Sequence, residues 1–170
     1  GRWRNRRLQS PKCQTTRPTS DRAREALFSA LYDVDDLRVL DLFAGTGALG
    51  LEAMSRGAAS VVFVEQHRAA LVCLRANLKA LDCPAEVLAS DVRRALKRFS
   101  GKGQSFDLIL ADPPYALDEA VVQACFTDAR SLLADEGTFV WEHQHARPAP
   151  AEAERSLKSG EARFSLYGPV

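Results

Sequence analysis

The sequence predicts an α/β protein on a Rossmann-like, doubly wound, mostly parallel sheet, and three observations carry that expectation. From residue 37 onward, apolar strand-like runs alternate with segments of helical period. The first run opens into "DLFAGTGALG", residues 41 to 50, whose Gly45-x-Gly47-x-x-Gly50 pattern lets backbone approach a ligand at the start of a helix. The 170 residues suffice for one domain with a sizeable core. A short basic N-terminal arm over 1–17 precedes a body over 18–170, with no internal repeat.

Each element has its own signal. The arm alternates in "RWRNRRLQ" and is expected to form a short hairpin. "RPTSDRAREALFSALYDV" reads as a helix: Pro18 ends the extended segment, Thr19 or Ser20 can cap, and Asp21 sits where the helix dipole favours an anion. Ala23, Leu27, Ala30, Leu31 and Val34 give it one apolar face. "LRVLDLF" is a strand, nearly continuous in apolar residues, as suits a sheet covered on both faces. "ALGLEAMSRG" is a helix closed by Gly57, "SVVFVE" is a second buried strand, and Leu71, Leu74, Leu78 and Leu81 mark a helix over about 67–82. "AEVLAS", "DVRRALKRF" and "FDLILA" follow as strand, short helix and strand. A helix over about 118–133 leads to "GTFVWEH", the fifth strand. The Pro/Ala stretch at 146–153 is a connection, and "EARFSLYG" alternates like a partly exposed strand.

Composition narrows the function classes. The formal net charge is +1, yet residues 1–24 hold eight Lys or Arg against the single acid Asp21, a local +7 that leaves −6 on the remainder. A basic arm on a mildly acidic body suggests a polyanion partner, and Trp3 among the arginines can stack on an unpaired base. No uncharged apolar run approaches the ~20 residues that span a bilayer, and no apolar segment follows the basic start, so neither a membrane partner nor a secretory signal is expected. Cys13, Cys73, Cys83 and Cys125 form no C-x-x-C pair, which favours reduced thiols and a cytoplasmic location. His143 and His145 lack a third ligand at suitable spacing, so no metal site is expected.

The glycine loop alone would suit a dinucleotide, but Asp41 opposes it. A carboxylate a few ångströms from a diphosphate in a partly dry cleft costs several kcal/mol. S-adenosylmethionine removes the conflict, because it has no phosphate and carries an ammonium and a cationic sulfur. Glu65, ending the second strand, can accept both ribose hydroxyls, and Asp91, ending the third, can bind the adenine amine. An NAD enzyme would use Glu65 in the same way, so Asp41 is the residue that discriminates.

The fourth strand runs into "ADPPY", residues 111 to 115. Two prolines force a rigid extended turn and remove two donors, so the turn presents acceptors: the Asp112 side chain and the Pro113 carbonyl. These can take both N–H bonds of an exocyclic amine, aiming its lone pair at a methyl donor, while Tyr115 stacks on the base. Alternatives from other classes are an amino-methyltransferase acting on DNA or protein, a non-catalytic RNA-binding protein of this fold, and an NAD-dependent dehydrogenase.

Together "DLFAGTGALGLEAMSRGA", "VEQHRAAL", "FDLILADPPY", "RPTSDRAREALFSAL" and "GRWRNRRL" resemble the RsmD-type 16S rRNA guanine-N(2)-methyltransferases over nearly the whole chain. D-P-P-Y alone indicates only amino-group methylation. The resemblance implies a sheet of the class I methyltransferase type, and a catalytic set of Asp112, Pro113, Pro114 and Tyr115. It maps the glycine loop onto Asp41, Gly45 and Gly47 and the ribose acid onto Glu65; Phe43 and Thr46 of the same loop, with Asp91, complete the expected cofactor set. It also implies RNA contacts at Arg2, Trp3, Arg4, Arg6, Arg7, Arg17, Thr19 and Arg22. The implied substrate is 16S rRNA within the small ribosomal subunit or its assembly intermediate, and the implied enzyme is a bacterial, cytoplasmic monomer. Two departures stand out: Trp3-Arg4-Asn5-Arg6 replaces an expected W-R-G-R, and the chain stops at "LYGPV" where the family continues into another strand, so the C-terminal edge is expected to be short of one.

Overall fold

The computed structural model describes residues 2–3, 8–9, 20–31 and 33–169. The expected hairpin, Arg4, Arg6, Arg7, Arg17, Thr19 and Cys13 therefore lie outside the described residues. Helix α1 (Asp21–Ala30) begins at its sequence signal, with the Ser20 hydroxyl accepting the Ala23 amide at 3.2 Å and Asp21 in the first turn. Then come β1 (Arg38–Leu42), α2 (Ala48–Ser55), β2 (Ser60–Glu65), α3 (Arg68–Ala80), β3 (Glu86–Ala89), α4 (Val92–Gly101), β4 (Phe106–Ala111), α5 (Glu119–Arg130) and β5 (Leu133–His143). Strands β6 (Arg155–Ser159) and β7 (Ala162–Tyr167) follow.

All seven strands form one sheet in the order β3-β2-β1-β4-β5-β7-β6. Strands β1 to β5 pair in parallel, and β7 is antiparallel to both its neighbours. The chain winds outward from β1 to β3, then returns to the other side of β1 with β4. That reversal opens a crevice at the carboxyl ends of β1 and β4, where such sheets bind ligands.

The structure departs from the sequence reading most at three elements, while α1 and α3 also end a few residues earlier than their patterns suggest. Helix α5 ends at Arg130, because β5 starts at Leu133 and carries an irregularity: Phe106 pairs with Leu133 but Leu108 with Thr138. Strand β6, "RSLKS", is mostly exposed and shows no apolar run; pairing with β7 from Arg155↔Leu166 to Ser159↔Ala162 makes it a strand. Strand β7, expected to be partly exposed, buries Phe164 to Tyr167 because it lies inside the sheet between β5 and β6.

Alternation along the strands divides the core in two. Val39, Val61, Phe63, Leu108 and Leu110 pack with Leu27, Phe28, Leu51, Leu74 and Leu78 of α1, α2 and α3. Leu40, Leu42, Val64 and Ile109 pack on the other face with Leu96, Phe99, Val122 and Phe126 of α4 and α5. The second cluster is extended by Phe126 against Trp141 and Tyr167, edge to face at 5.5 and 5.0 Å. Among the described residues no helix is long and apolar enough to cross a membrane, and Cys73, Cys83 and Cys125 are free thiols.

Gly50 is the tightest point of the loop–helix junction. A Cβ there would lie 2.4 Å from the Phe63 ring and 2.8 Å from Asp41 Oδ2. Overpacking of this kind costs about 1–3 kcal/mol, so Gly50→Ala is expected to lower the melting temperature by about 2–10 °C. Gly101→Ala, with nothing within 4 Å of the added Cβ, is the control and should leave melting unchanged or slightly raised. Equal melting of the two variants in thermal denaturation would show that the Phe63–Asp41 contact is soft.

Candidate active site

Strand register decides which tip side chains meet. Leu42 pairs with Val64 on one side and Ala111 on the other, so Glu65 and Asp112 continue β2 and β4 at one level. Asp41 and Glu65 fall on the parity of Val39, Phe63 and Leu110, the face toward α1, α2 and α3, and Asp112 keeps that parity just past β4. Three carboxylates from three adjacent strands therefore converge on one side of the sheet. They border a cleft of about 1280 Å³, together with the glycine loop, the 112–116 turn, the end of β5 and the turn between β6 and β7.

Each acid is held differently. Asp41 is buried and its Oδ2 accepts the Gly50 amide, in the first turn of α2, at 2.9 Å. This amide belongs to the open end of a helix that Gly47, at φ 85°, caps without a side chain. Glu65 Oε2 accepts the Gly45 amide at 2.7 Å, while Oε1 accepts the amides of Gln66 at 2.8 Å and His67 at 2.7 Å. Asp112 is half-buried and lines the cleft. Burial pushes the Asp41 carboxyl up to about 7; the Gly50 bond opposes the rise, and the charges of Asp112 and Glu65 add to it. Burial also raises Asp112. The ionised forms of Asp41 and Asp112 are thus disfavoured, and a nearby cation would relieve this, which fits a sulfonium and an ammonium and disfavours a diphosphate.

The loop itself is strained toward the cleft. Phe43 adopts φ 58° and Gly45 φ 56°, and the left-handed region costs a non-glycine residue about 1–2 kcal/mol. Thr46 is buried, and its carbonyl accepts the Asn77 side-chain amide at 3.0 Å. On the opposite wall, the Pro114 carbonyl accepts the Leu117 amide at 3.1 Å and closes the turn after Asp112 and Pro113. Tyr115 is 52% exposed at the cleft, a large aromatic face left open to solvent.

Two expected residues stand elsewhere. Asp91 is exposed and caps α4, accepting the Arg94 amide at 3.2 Å, and it is not among the residues lining the cleft, although Val92 is. Trp3 is half-buried against the core, its amide donating to Ser55 Oγ at 3.0 Å, with the Arg2 guanidinium 5.6 Å from its ring. That contact is at the end of α2 remote from the glycine loop. Arg22 is exposed in the first turn of α1, whose cap Ser20 lines the cleft.

Arg147 and Asn77 were not anticipated. Arg147 donates to the Tyr115 carbonyl at 2.8 Å and the Leu117 carbonyl at 2.6 Å, and pairs with Glu119 at 3.1 Å. One guanidinium thus fastens the whole turn that follows the prolines. No local pattern marks it, since its partners lie 28 to 32 residues away. Asn77 did carry a signal: a polar residue on the apolar stripe of α3, between Leu74 and Leu78. His143, read as a stray metal-type residue, lines the cleft, is hydrogen-bonded through Nε2 to the Ser165 hydroxyl at 3.0 Å, and is lowered in pKa by burial.

The chain is similar to known proteins over nearly its whole length. A family model described as "conserved hypothetical protein 95" matches residues 1–168. Ribosomal RNA small subunit methyltransferase D of Escherichia coli is 35% identical over 174 residues, covering 98% of this chain and 86% of that protein. A Bacillus subtilis protein described as "Putative rRNA methyltransferase YlbH" is 32% identical over 99% of this chain and 93% of its own length. Among solved structures, a hypothetical protein of Thermus thermophilus superposes with a TM-score of 0.87 at 32% identity, covering 99% of this chain and 96% of that one. A T. thermophilus 16S rRNA N2 guanine methyltransferase in complex with AdoMet and guanosine matches at TM-score 0.74 and 29% identity, over 94% of this chain and 45% of its own.

The acid cluster makes stability depend on pH in a definite direction. Because the folded Asp41 carboxyl titrates near 7, above an unfolded value of about 3.9, the native state holds an extra proton between those values. Its contribution is greatest below about pH 4 and is lost as pH rises to about 7. Asp41→Asn is expected to flatten the decline by up to about 1.4 kcal/mol per pH unit, read from denaturant melts of the ligand-free protein. Parallel curves for the two proteins would place Asp41 among ordinary carboxylates.

Proposed function

The chain belongs to the RsmD family of ribosomal RNA small subunit methyltransferases, and from that premise we propose that it methylates the exocyclic N2 amine of a guanine in 16S rRNA. Its cofactor is S-adenosylmethionine, which supplies a methyl group activated on a positively charged sulfur. The observation that carries the reading is the placement of Asp41, Glu65 and the Asp112–Pro113–Pro114–Tyr115 turn around one cleft.

The two walls divide the work. On the β1–β2 wall, Asp41 supplies negative charge beside the Gly45–Gly47 turn, and Glu65 keeps acceptor capacity for ribose hydroxyls while holding the loop. Phe43 and Thr46 shape the same wall. Asp91 lies outside the cleft lining but next to Val92, which lines it, so its proposed contact with the adenine amine falls to the carboxylate oxygen that does not cap α4. On the β4 wall, the Asp112 carboxylate and the Pro113 carbonyl accept the two N–H bonds of the guanine amine, which turns its lone pair toward the methyl donor. Asp112 stabilises the positive charge that grows on nitrogen and takes up the proton afterwards or passes it to water. Tyr115 holds the plane of a base splayed from its neighbours.

The basic arm grips phosphates. Arg4, Arg6, Arg7, Arg17 and Thr19 with Arg22 form the RNA-facing set, while Arg2 and Trp3 anchor the arm on α2. The enzyme works in the cytoplasm as a monomer, on the small ribosomal subunit or its assembly intermediate.

Asp112→Asn is expected to lower methyl transfer by about 10²-fold or more while leaving S-adenosylhomocysteine affinity within a few-fold. A labelled-methyl assay on small subunits and on stripped rRNA, followed by mapping of the modified base, checks both activity and acceptor. Undiminished turnover takes Asp112 out of the chemistry, and label on anything but a guanine amine rejects the assigned substrate. Replacing Arg4, Arg6 and Arg7 with alanine should lower the slope of log affinity against log salt by about 2, at roughly 0.7 counterion per phosphate; an unaltered slope leaves the arm without phosphate contacts.

A further inference from the structure

We propose that Asn77 couples the N-terminal arm to the cofactor loop, so that arm docking and cofactor binding strengthen one another. Asn77 is 2% exposed, on the buried stripe of α3. Its Nδ2 donates to the Thr46 carbonyl at 3.0 Å and to the Gln9 carbonyl at 3.1 Å, and its Oδ1 accepts the Gln9 amide at 2.7 Å. One planar amide thus bridges the glycine loop and the arm, with both N–H bonds and its oxygen engaged.

The geometry makes the two attachments interdependent. Both donated bonds leave the same nitrogen, and the accepted bond fixes the plane in which that nitrogen lies. When Gln9 leaves, Asn77 keeps a buried oxygen and a buried N–H without protein partners, a costly state inside a core. The side chain then turns or admits water, and the Nδ2 bond to Thr46 is weakened. Conversely, a loop held by ligand keeps Asn77 in the orientation that receives Gln9. Leu8 adds an apolar contact to the same core cluster, so the segment beside the bridge is docked rather than lying loose on the surface.

Thr46 borders the cleft and the Gly45 amide is clamped by Glu65 on its β2 side. Asn77 supplies the matching support from the α3 side. By linkage, whatever factor docking adds to cofactor affinity, cofactor adds to docking. Asn77 is in this sense a positioning residue. The inference rests on the cofactor assignment but not on which base is methylated.

The test uses the full chain, without RNA. Gln9→Pro removes the amide that donates to Asn77 and leaves every residue lining the cleft intact. It is expected to weaken S-adenosylhomocysteine binding by about threefold to tenfold in titration calorimetry, the range set by one hydrogen bond. In the wild-type chain, S-adenosylhomocysteine should slow hydrogen exchange of the Gln9 amide; in Asn77→Ala that slowing should vanish while protection within the glycine loop persists. Unchanged affinity in Gln9→Pro overturns the coupling, as does a Gln9 amide whose exchange ignores the ligand. If Asn77→Ala does not fold, those two measurements decide the matter by themselves. Failure here leaves the methyl-acceptor assay untouched, and failure of that assay leaves the coupling standing.

Discussion

The Glu65 carboxylate accepts the amides of Gly45, Gln66 and His67, and the rest of the cleft depends on that clamp because it fixes the glycine loop to the end of β2. A buried carboxylate lacking donors is strongly disfavoured. Backbone amides at a strand tip that face no carbonyl of the ladder also need an acceptor. Their pairing draws the glycine loop over the end of β2 and holds a negative charge at the cleft wall. The left-handed residues of the loop, Phe43, Gly45 and Gly47, are sustained by this attachment and by the bond from Asn77 to Thr46.

Once the loop is so placed, Asp41 has no escape from the interior. Its carboxylate accepts the Gly50 amide, and Asp112 and Glu65 add charge of the same sign. Asp41 therefore ionises only in part near neutral pH, and a cation seated beside it, as we propose for the cofactor, favours the ionised form. This is a different solution from the one used for dinucleotides, where the open amides of the helix meet a phosphate. Here an acid already occupies one of those amides.

The other wall is rigid for separate reasons. Two prolines stiffen the turn locally, the Pro114 carbonyl closes it on Leu117, and Arg147 binds the Tyr115 and Leu117 carbonyls from beyond β5. The exposed ring of Tyr115 is thereby carried on a fixed backbone.

Residues with local causes were readable from the chain. The Ser20 cap, the apolar strands β1, β2 and β4, the helical stripe of α3 and the ligand class favoured by Asp41 all follow from neighbours in sequence, since caps, periodicity and strand tips depend on spacing of a few residues. Tertiary structure decided what spacing cannot reach. It grouped Asp112, rather than Asp91, with Asp41 and Glu65, because strand parity and the β1–β4 reversal bring their tips together while Asp91 turns to cap α4. It made a strand of β6 through pairing alone, and it gave Arg147 and Asn77 their partners. Those contacts span 28 to 68 residues, and only the folded chain brings such groups within hydrogen-bonding distance.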